Sequence, residues 1–403
     1  MKEVRKTRFK DLLTIFLLMC ISGNPCVTQV SSFADYIYLM MFGWLIVAYG
    51  KHLKFAVCKR IALWTSFLMM VFVIQTYTLQ SPFQLTSINY LVKVTVAIFT
   101  AYIFGDRFPY LYLKVITYLA AFSLGCFALN FIGVELPALV DLEHRGSSIF
   151  LYRQQADIST NLRNSGMFWE PGAFAGYIIF TFILFINSLD VLWKQYGKHL
   201  LILILALVTT FSTTGYLVVA LITIIYFAQS IKNKVILGFV YVLIAPLLYV
   251  AYTEMAFLEE KIMDEYEYAM ERDALSLNYS RMGSALIDFY YIGKHPLFGN
   301  GLHQSTRYAD HLQYYDYEDL QGFSNGFTGN MASIGVLFML LFLIAFYRNR
   351  TLQWKWTSLI IFIVLMQGEY YMDYPLFLML PFITFFNSRF YKNGANSCTL
   401  NRA

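Results

Sequence analysis

Few residues in this sequence could carry polar chemistry, and the stretch Leu162–Gly172, LRNSGMFWEPG, couples two of them at the start of an apolar run. Arg163 and Glu170 are the leading catalytic candidates. Glu170 stands directly before Pro171, and a proline followed by an apolar run marks the start of a helix. A carboxylate at that point has two readings. It complements the positive end of the helix dipole, or it sits at the helix mouth to orient or deprotonate a hydroxyl. Arg163 also has two: an ion pair to Glu170, or a planar fork gripping phosphate oxygens.

A second arginine, Arg281, opens an amphipathic stretch that runs into His295-Pro296-Leu297-Phe298-Gly299-Asn300-Gly301. Gly299 and Gly301 permit a tight turn with exposed backbone N–H groups able to receive an anion. With Arg163 and Arg281 on the same face, that turn would form a diphosphate cradle. His295 belongs to the turn, and His303 and His311 follow it, leaving room for a histidine base. Asn164, Lys93, Asn325 and Glu369 complete the substrate-binding candidates. Lys93, inside an apolar run, either snorkels outward or adds charge to the diphosphate site. Glu369 and Asp373 are alternative acids or bases, or else buried polar anchors. Asp316-Tyr317-Glu318-Asp319 has the look of a metal-binding acidic cluster, but reads first as a solvated loop. Tyr308–Tyr317 offers stacking faces to sugars, or rests at the headgroup level of a bilayer. Six histidines without close pairing give no metal-ligand spacing. The five cysteines read as unpaired, and neither a metal nor another cofactor is expected.

The elements that must hold these residues are greasy. Of the 403 residues, 58% are hydrophobic, 18% aromatic and 14% charged, against about a quarter charged in soluble domains. Apolar runs recur from end to end without an internal repeat, as in an all-α polytopic membrane protein. Expected spans are 12–30, 33–50, 61–79, 88–105, 110–134, 173–188, 199–230, 235–252, 326–347 and 357–388. The basic N-terminal head with its apolar run lacks a small-x-small cleavage site and reads as an uncleaved first span. The stretches 199–230 and 357–388 are each long enough for about 45 Å of helix, against a hydrocarbon core of about 30 Å. Polar residues interrupt each: Ser212-Thr213-Thr214-Gly215 in the first, Gln367-Gly368-Glu369 with Asp373 and Pro375 in the second. Each is a hairpin of two short helices, giving about twelve spans, or one tilted and kinked helix.

Lysine and arginine collect in one set of loops and in both termini, which makes that side cytoplasmic. The net charge of +5 arises in these short loops and is no sign of nucleic-acid binding. The other side carries two larger loops, 135–172 and 253–325, within a single integral membrane domain spanning 1–403. The acidic stretch 253–273 is expected to form a helix over the external surface, with a solvated charged face.

Three features in series carry a resemblance: R-x-x-G-x-F-x-E-P-G from Arg163 ahead of a span, the Thr213-Thr214-Gly215 break, and Arg281 followed by P-L-F-G-x-G in a large loop. Together they resemble the Wzy-type O-antigen and exopolysaccharide repeat-unit polymerases, and in part the related O-antigen ligases. The likeness covers about 160–345; the first 130 residues match in hydropathy alone. It implies a C-type glycosyltransferase fold in the bacterial inner membrane, with the chemistry on the periplasmic face. The implied substrates are oligosaccharide repeat units on undecaprenyl diphosphate. Membrane lipids and a chain-length regulator protein are further expected partners. The family's motif arginines map onto Arg163 and Arg281, and its motif glutamate onto Glu170. Where ligases carry a histidine, this chain reads Gly322-Phe323-Ser324-Asn325-Gly326, a departure that favours polymerase over ligase. The rival reading from another class is a lipid-linked sugar transporter or flippase, for which broken helices in both halves would be natural.

Overall fold

The computed structural model describes residues 8–28, 36–134, 136–138, 140–141, 147–154, 162–230, 238, 242, 281–316, 325–349 and 355–383. It is mostly helical and divides into two compact units. The first comprises Met1–Ser212, Leu340–Ile360 and Tyr371–Ala403; the second comprises Thr213–Met339 and Ile361–Tyr370.

The first unit holds α1 (Phe9–Ile21), α2 (Pro25–Thr28), α3 (Ile37–Tyr49), α4 (Phe55–Thr78), α5 (Leu85–Phe104), α6 (Phe108–Phe131), α7 (Pro171–Leu184) and α8 (Leu189–Thr209). Three two-residue strands lie between α6 and α7: β1 (Val140–Asp141), β2 (Ser147–Ser148) and β3 (Arg153–Gln154), antiparallel in the order β1-β2-β3. Helix α5 packs on α3 and α4, and α6 packs on α1, α7 and α8. Rings of Phe108, Tyr112 and Phe180 lock α6 to α7. The buried Tyr112 hydroxyl donates to the Tyr177 carbonyl at 2.7 Å, as a phenol in an apolar interior requires. Arg107, in the turn after α5, pairs with buried Asp11 of α1 at 2.6 Å.

The run 12–30, expected as one span, is interrupted. Helix α1 stops at Ile21, and Asn24 turns the chain, accepting from the Cys26 amide and donating to the Phe150 carbonyl. The segments expected at 61–79, 88–105 and 110–134 appear as α4, α5 and α6. Phe55–Thr78, of 24 residues, and the 47-residue run Leu85–Phe131 are long and apolar enough to cross a membrane. Much of α4 faces outward with apolar side chains: Leu63, Met69, Met70, Val73 and Tyr77 are exposed.

The second unit holds α9 (Thr213–Ser230), α10 (Arg281–Lys294) and α11 (Gln304–Arg307), together with α12 (Gly326–Ile334). Helices α13 (Val336–Tyr347) and α14 (Lys355–Gly368) are each divided between the two units, at Met339/Leu340 and Ile360/Ile361, and α15 (Pro375–Leu378) belongs to the first. Both long stretches are broken where their polar residues fall. Thr210–Ser212 separates α8 from α9, and Glu369–Tyr374 separates α14 from α15 with one 3-10 turn at Tyr371–Asp373. The span expected over 326–347 is broken as well. Gly335 adopts φ +99°, and a Cβ there would meet the Leu297 carbonyl carbon and oxygen. The expected span 235–252 and surface helix 253–273 lie outside the described residues, residues 238 and 242 apart. So does Tyr317–Ser324, with the cluster Glu318-Asp319 and the Gly322-Phe323-Ser324 segment.

Candidate functional site

In the first unit the Leu162–Gly172 motif folds as a loop that delivers Glu170 to the start of α7. Glu170 is extended, at φ −156° and ψ 166°, with Pro171 in the first turn of the helix behind it. Its carboxylate makes no capping hydrogen bond to the helix amides, so the motif's glutamate is not a simple N-cap. Arg163 donates from Nε to the Thr210 carbonyl at 3.0 Å and from Nη2 to the Phe211 carbonyl at 2.8 Å. These carbonyls end α8, where the helix carries partial negative charge. The guanidinium thus ties the motif to the first break in the long helical stretch.

Asn164, expected to touch substrate, is fully buried at 0% exposure. Its Nδ2 donates to Ser123 Oγ and Thr209 Oγ1, while its Oδ1 accepts from the Gly166 amide. Asn164 is therefore a structural brace between the motif, α6 and α8.

The turn after α14 lands on the same loop. The Tyr371 hydroxyl donates to the Gly172 carbonyl at 3.0 Å. Gly176 admits the Tyr371 ring, which a Cβ would strike. The rings of Trp169 and Tyr374 lie 5.0 Å apart at 30°. Lys93 of α5 does not snorkel: its Nζ pairs with Asp373 Oδ1 at 2.7 Å and lies 4.6 Å over the Tyr38 ring. Tyr374 is within electrostatic reach of Asp373, Tyr38 and Glu170 alike. Residues some two hundred positions apart thus meet around Glu170.

In the second unit, Arg281 opens α10, and its side chain is outside the described residues. The glycine turn is present, with Gly299 at φ +75° and Gly301 at φ +89°, but its amides do not await an anion. Gly299 N donates to the His295 carbonyl, Asn300 N to the Ala332 carbonyl and Gly301 N to the Ser333 carbonyl. In return Val336 N donates to the Pro296 carbonyl at 2.8 Å. The turn clasps the α12–α13 junction, and the cradle expected from its sequence is replaced by this pairing. Gly299→Ala is accordingly expected to destabilise the protein by about 2–4 kcal/mol, because a Cβ would meet the Ser333 carbonyl in a left-handed backbone. Gly293→Ala, in open space on α10, is expected to be neutral or to stabilise by up to about 1 kcal/mol. Thermal unfolding of the two purified variants checks the contrast.

His303 caps α11, accepting from Ser305 N through Nδ1, and is exposed. His295 is half-buried at the end of the α10 turn, and His311 is buried with Nδ1 2.7 Å from the Tyr291 hydroxyl. Asn325 caps α12 by accepting from Phe327 N and Thr328 N, and its Nδ2 donates to Gln367 Oε1 at 2.9 Å. Glu369 is buried, with its backbone carbonyl against Gly326. Thr214 packs on Gly368, so α9 and α14 meet beside their breaks inside this unit.

One group escaped the sequence reading. Asp288 and Arg307 form an ion pair with both side chains at 4% exposure. Thr328 Oγ1 donates to Asp288 Oδ2 at 2.5 Å, and Arg307 Nε donates to Ser333 Oγ at 3.1 Å. The guanidinium also lies 5.0 Å from the Tyr291 ring centre and 4.6 Å from that of Tyr308. Burial pushes the Asp288 carboxyl above its ordinary range, with Arg307 and Thr328 opposing. Nearby, burial acts to raise the Asp310 carboxyl, but Lys294 and the Tyr290 hydroxyl hold it below its usual value. The signal was there in principle: Asp288 is the only acid in the apolar face-forming run ALIDFYYI. Its partner, nineteen residues on, follows no helical or strand period.

No protein-family model, curated protein or solved structure matches the chain. What the geometry defines by itself is a helical protein with helices fit to cross a membrane and two polar clusters, one in each unit.

Proposed function

We propose that this chain is a multi-pass membrane glycosyltransferase of about twelve spans that polymerises oligosaccharide repeat units carried on undecaprenyl diphosphate. It would work at the periplasmic face of the bacterial inner membrane, with both termini cytoplasmic. The observation that carries the reading is the Arg163–Glu170 loop. It places a glutamate at a helix mouth without using it as a cap, and anchors an arginine two turns of sequence away. The outward apolar face of α4 supports a lipid environment.

In the proposed reaction a hydroxyl of one repeat unit attacks the anomeric carbon of a chain on the lipid carrier. The new O–C bond forms as the C–O bond to the diphosphate breaks, and the electron pair leaves with the diphosphate. The hydroxyl proton passes to Glu170. Negative charge grows on the leaving group, where the cation of Arg163 stabilises the transition state more than the ground state. The resemblance gives Arg281 the same task as Arg163.

The two broken helical stretches also favour a second reading, a lipid-linked sugar transporter. Purified protein in detergent, given undecaprenyl-diphosphate-linked repeat units and no gradient, separates the two. A ladder of lengthened chains is expected for the polymerase. Intact starting material from folded protein would sink that reading.

A further inference from the structure

We infer that the Tyr371–Tyr374 turn completes a pyranose-binding subsite beside Glu170. In it, Asp373 accepts hydrogen bonds from sugar hydroxyls, Trp169 and Tyr374 form the apolar wall, and Lys93 is the positioning residue that fixes Asp373. This rests on the reading of Glu170 given under Proposed function and names the part of the substrate held there.

The ion pair is lopsided. The Lys93 side chain is 10% exposed and that of Asp373 is 34% exposed. The Asp288–Arg307 pair, by contrast, is 4% exposed at each end. In the Lys93–Asp373 pair an interior cation presents an outward anion. Lys93 uses Oδ1 of Asp373, and Oδ2 has no partner among the described residues. A carboxylate paired to a lysine through one oxygen keeps spare lone pairs on the other, which suits vicinal hydroxyls.

The rings beside it add an apolar surface. Trp169 and Tyr374 lie against each other at a tilt and are half-buried, and such rings take the C–H face of a pyranose as they take other flat apolar surfaces. The Tyr371 hydroxyl, bonded to the Gly172 carbonyl, locks the turn onto the Glu170 loop. The subsite therefore assembles from three elements: α5, the motif loop and the turn.

Charge selects the class of ligand. Lys93 and Asp373 cancel, so their pair offers no net positive charge to a diphosphate and favours a neutral, hydroxyl-rich group. A divalent cation would need more oxygen donors than two carboxylates supply when one is neutralised by lysine.

The test uses the purified full-length protein in nanodiscs and saturation-transfer NMR. The probes are the methyl pyranosides of glucose, galactose, mannose and N-acetylglucosamine. Wild type is expected to transfer saturation to at least one of them. Asp373→Asn and Trp169→Ala should each weaken that binding at least tenfold. Lys93→Met should weaken it comparably, with Lys93→Arg restoring most of it, a rescue that loss of packing alone would not give. If Asp373→Asn fails to fold, Asp373→Glu is measured instead; it keeps the charge pair and displaces the second oxygen, and weakened binding is again expected. No transfer to any of the four glycosides from wild type, or unchanged binding in the Asp373 variant, would overturn the subsite. The assay needs neither lipid carrier nor turnover. A polymer ladder without glycoside binding removes the subsite and leaves the transferase reading standing, and glycoside binding without a ladder does the reverse.

Discussion

Arg163→Ala is expected to lower polymer formation by at least about 10²-fold in protein that still inserts and folds, the size of effect seen when a preorganised donor to a developing anion is removed. The guanidinium is held at two points, by the Thr210 and Phe211 carbonyls, so its orientation is set before any substrate arrives. Removing it also uncaps the end of α8, which by itself should cost about 0.5–1 kcal/mol. The two effects separate in the measurements. A capping role alone predicts a lower melting temperature with normal chain length per folded molecule. A transition-state role predicts loss of polymer out of proportion to the loss of stability. Arg163→Lys keeps the charge but cannot bridge both carbonyls as a rigid fork, so partial activity is expected. Wild-type chain length from Arg163→Ala would end the assignment. Glu170→Gln retains shape and removes the base, and full activity in it would strip Glu170 of its part.

Breaking the Asp288–Arg307 pair is expected to have the largest effect on stability. Asp288→Leu or Arg307→Met alone strands a charge in an interior where both side chains are 4% exposed, and such single losses cost about 3–5 kcal/mol. The damage should spread, because Asp288 also receives Thr328 of α12 and Arg307 also reaches Ser333. The double variant Asp288→Leu/Arg307→Met leaves no stranded charge and should recover most of the loss. Equilibrium unfolding of the four proteins in mixed micelles gives the coupling as a double-mutant cycle. Single variants within about 1 kcal/mol of wild type would mean that the pair is solvated and braces nothing.

Short-range features of the sequence were legible because their causes are short-range. Apolar composition and run length placed α4, α5 and α6. Pro171 after Glu170 marked the start of α7, and the polar interruptions at Ser212–Gly215 and Gln367–Glu369 marked the breaks. Other expectations failed where the answer lay far along the chain. Gly299 and Gly301 announced a turn, and the turn formed, but its amides went to carbonyls at Ala332 and Ser333. Asn164, expected among the substrate-binding residues, is instead enclosed by Ser123 and Thr209.

Composition, helix starts, helix breaks and the left-handed glycine turns were therefore determined by the sequence itself, since propensity, proline geometry and the absence of a Cβ act within a few residues. Which donors are used, which charges are buried and which carboxylate stands beside Glu170 were decided by the tertiary structure alone. Lys93 and Asp373 are 280 residues apart, and Arg307 meets Asp288 across a turn and two helices. Ion pairing and burial depend on distance in space, and no local pattern encodes that distance.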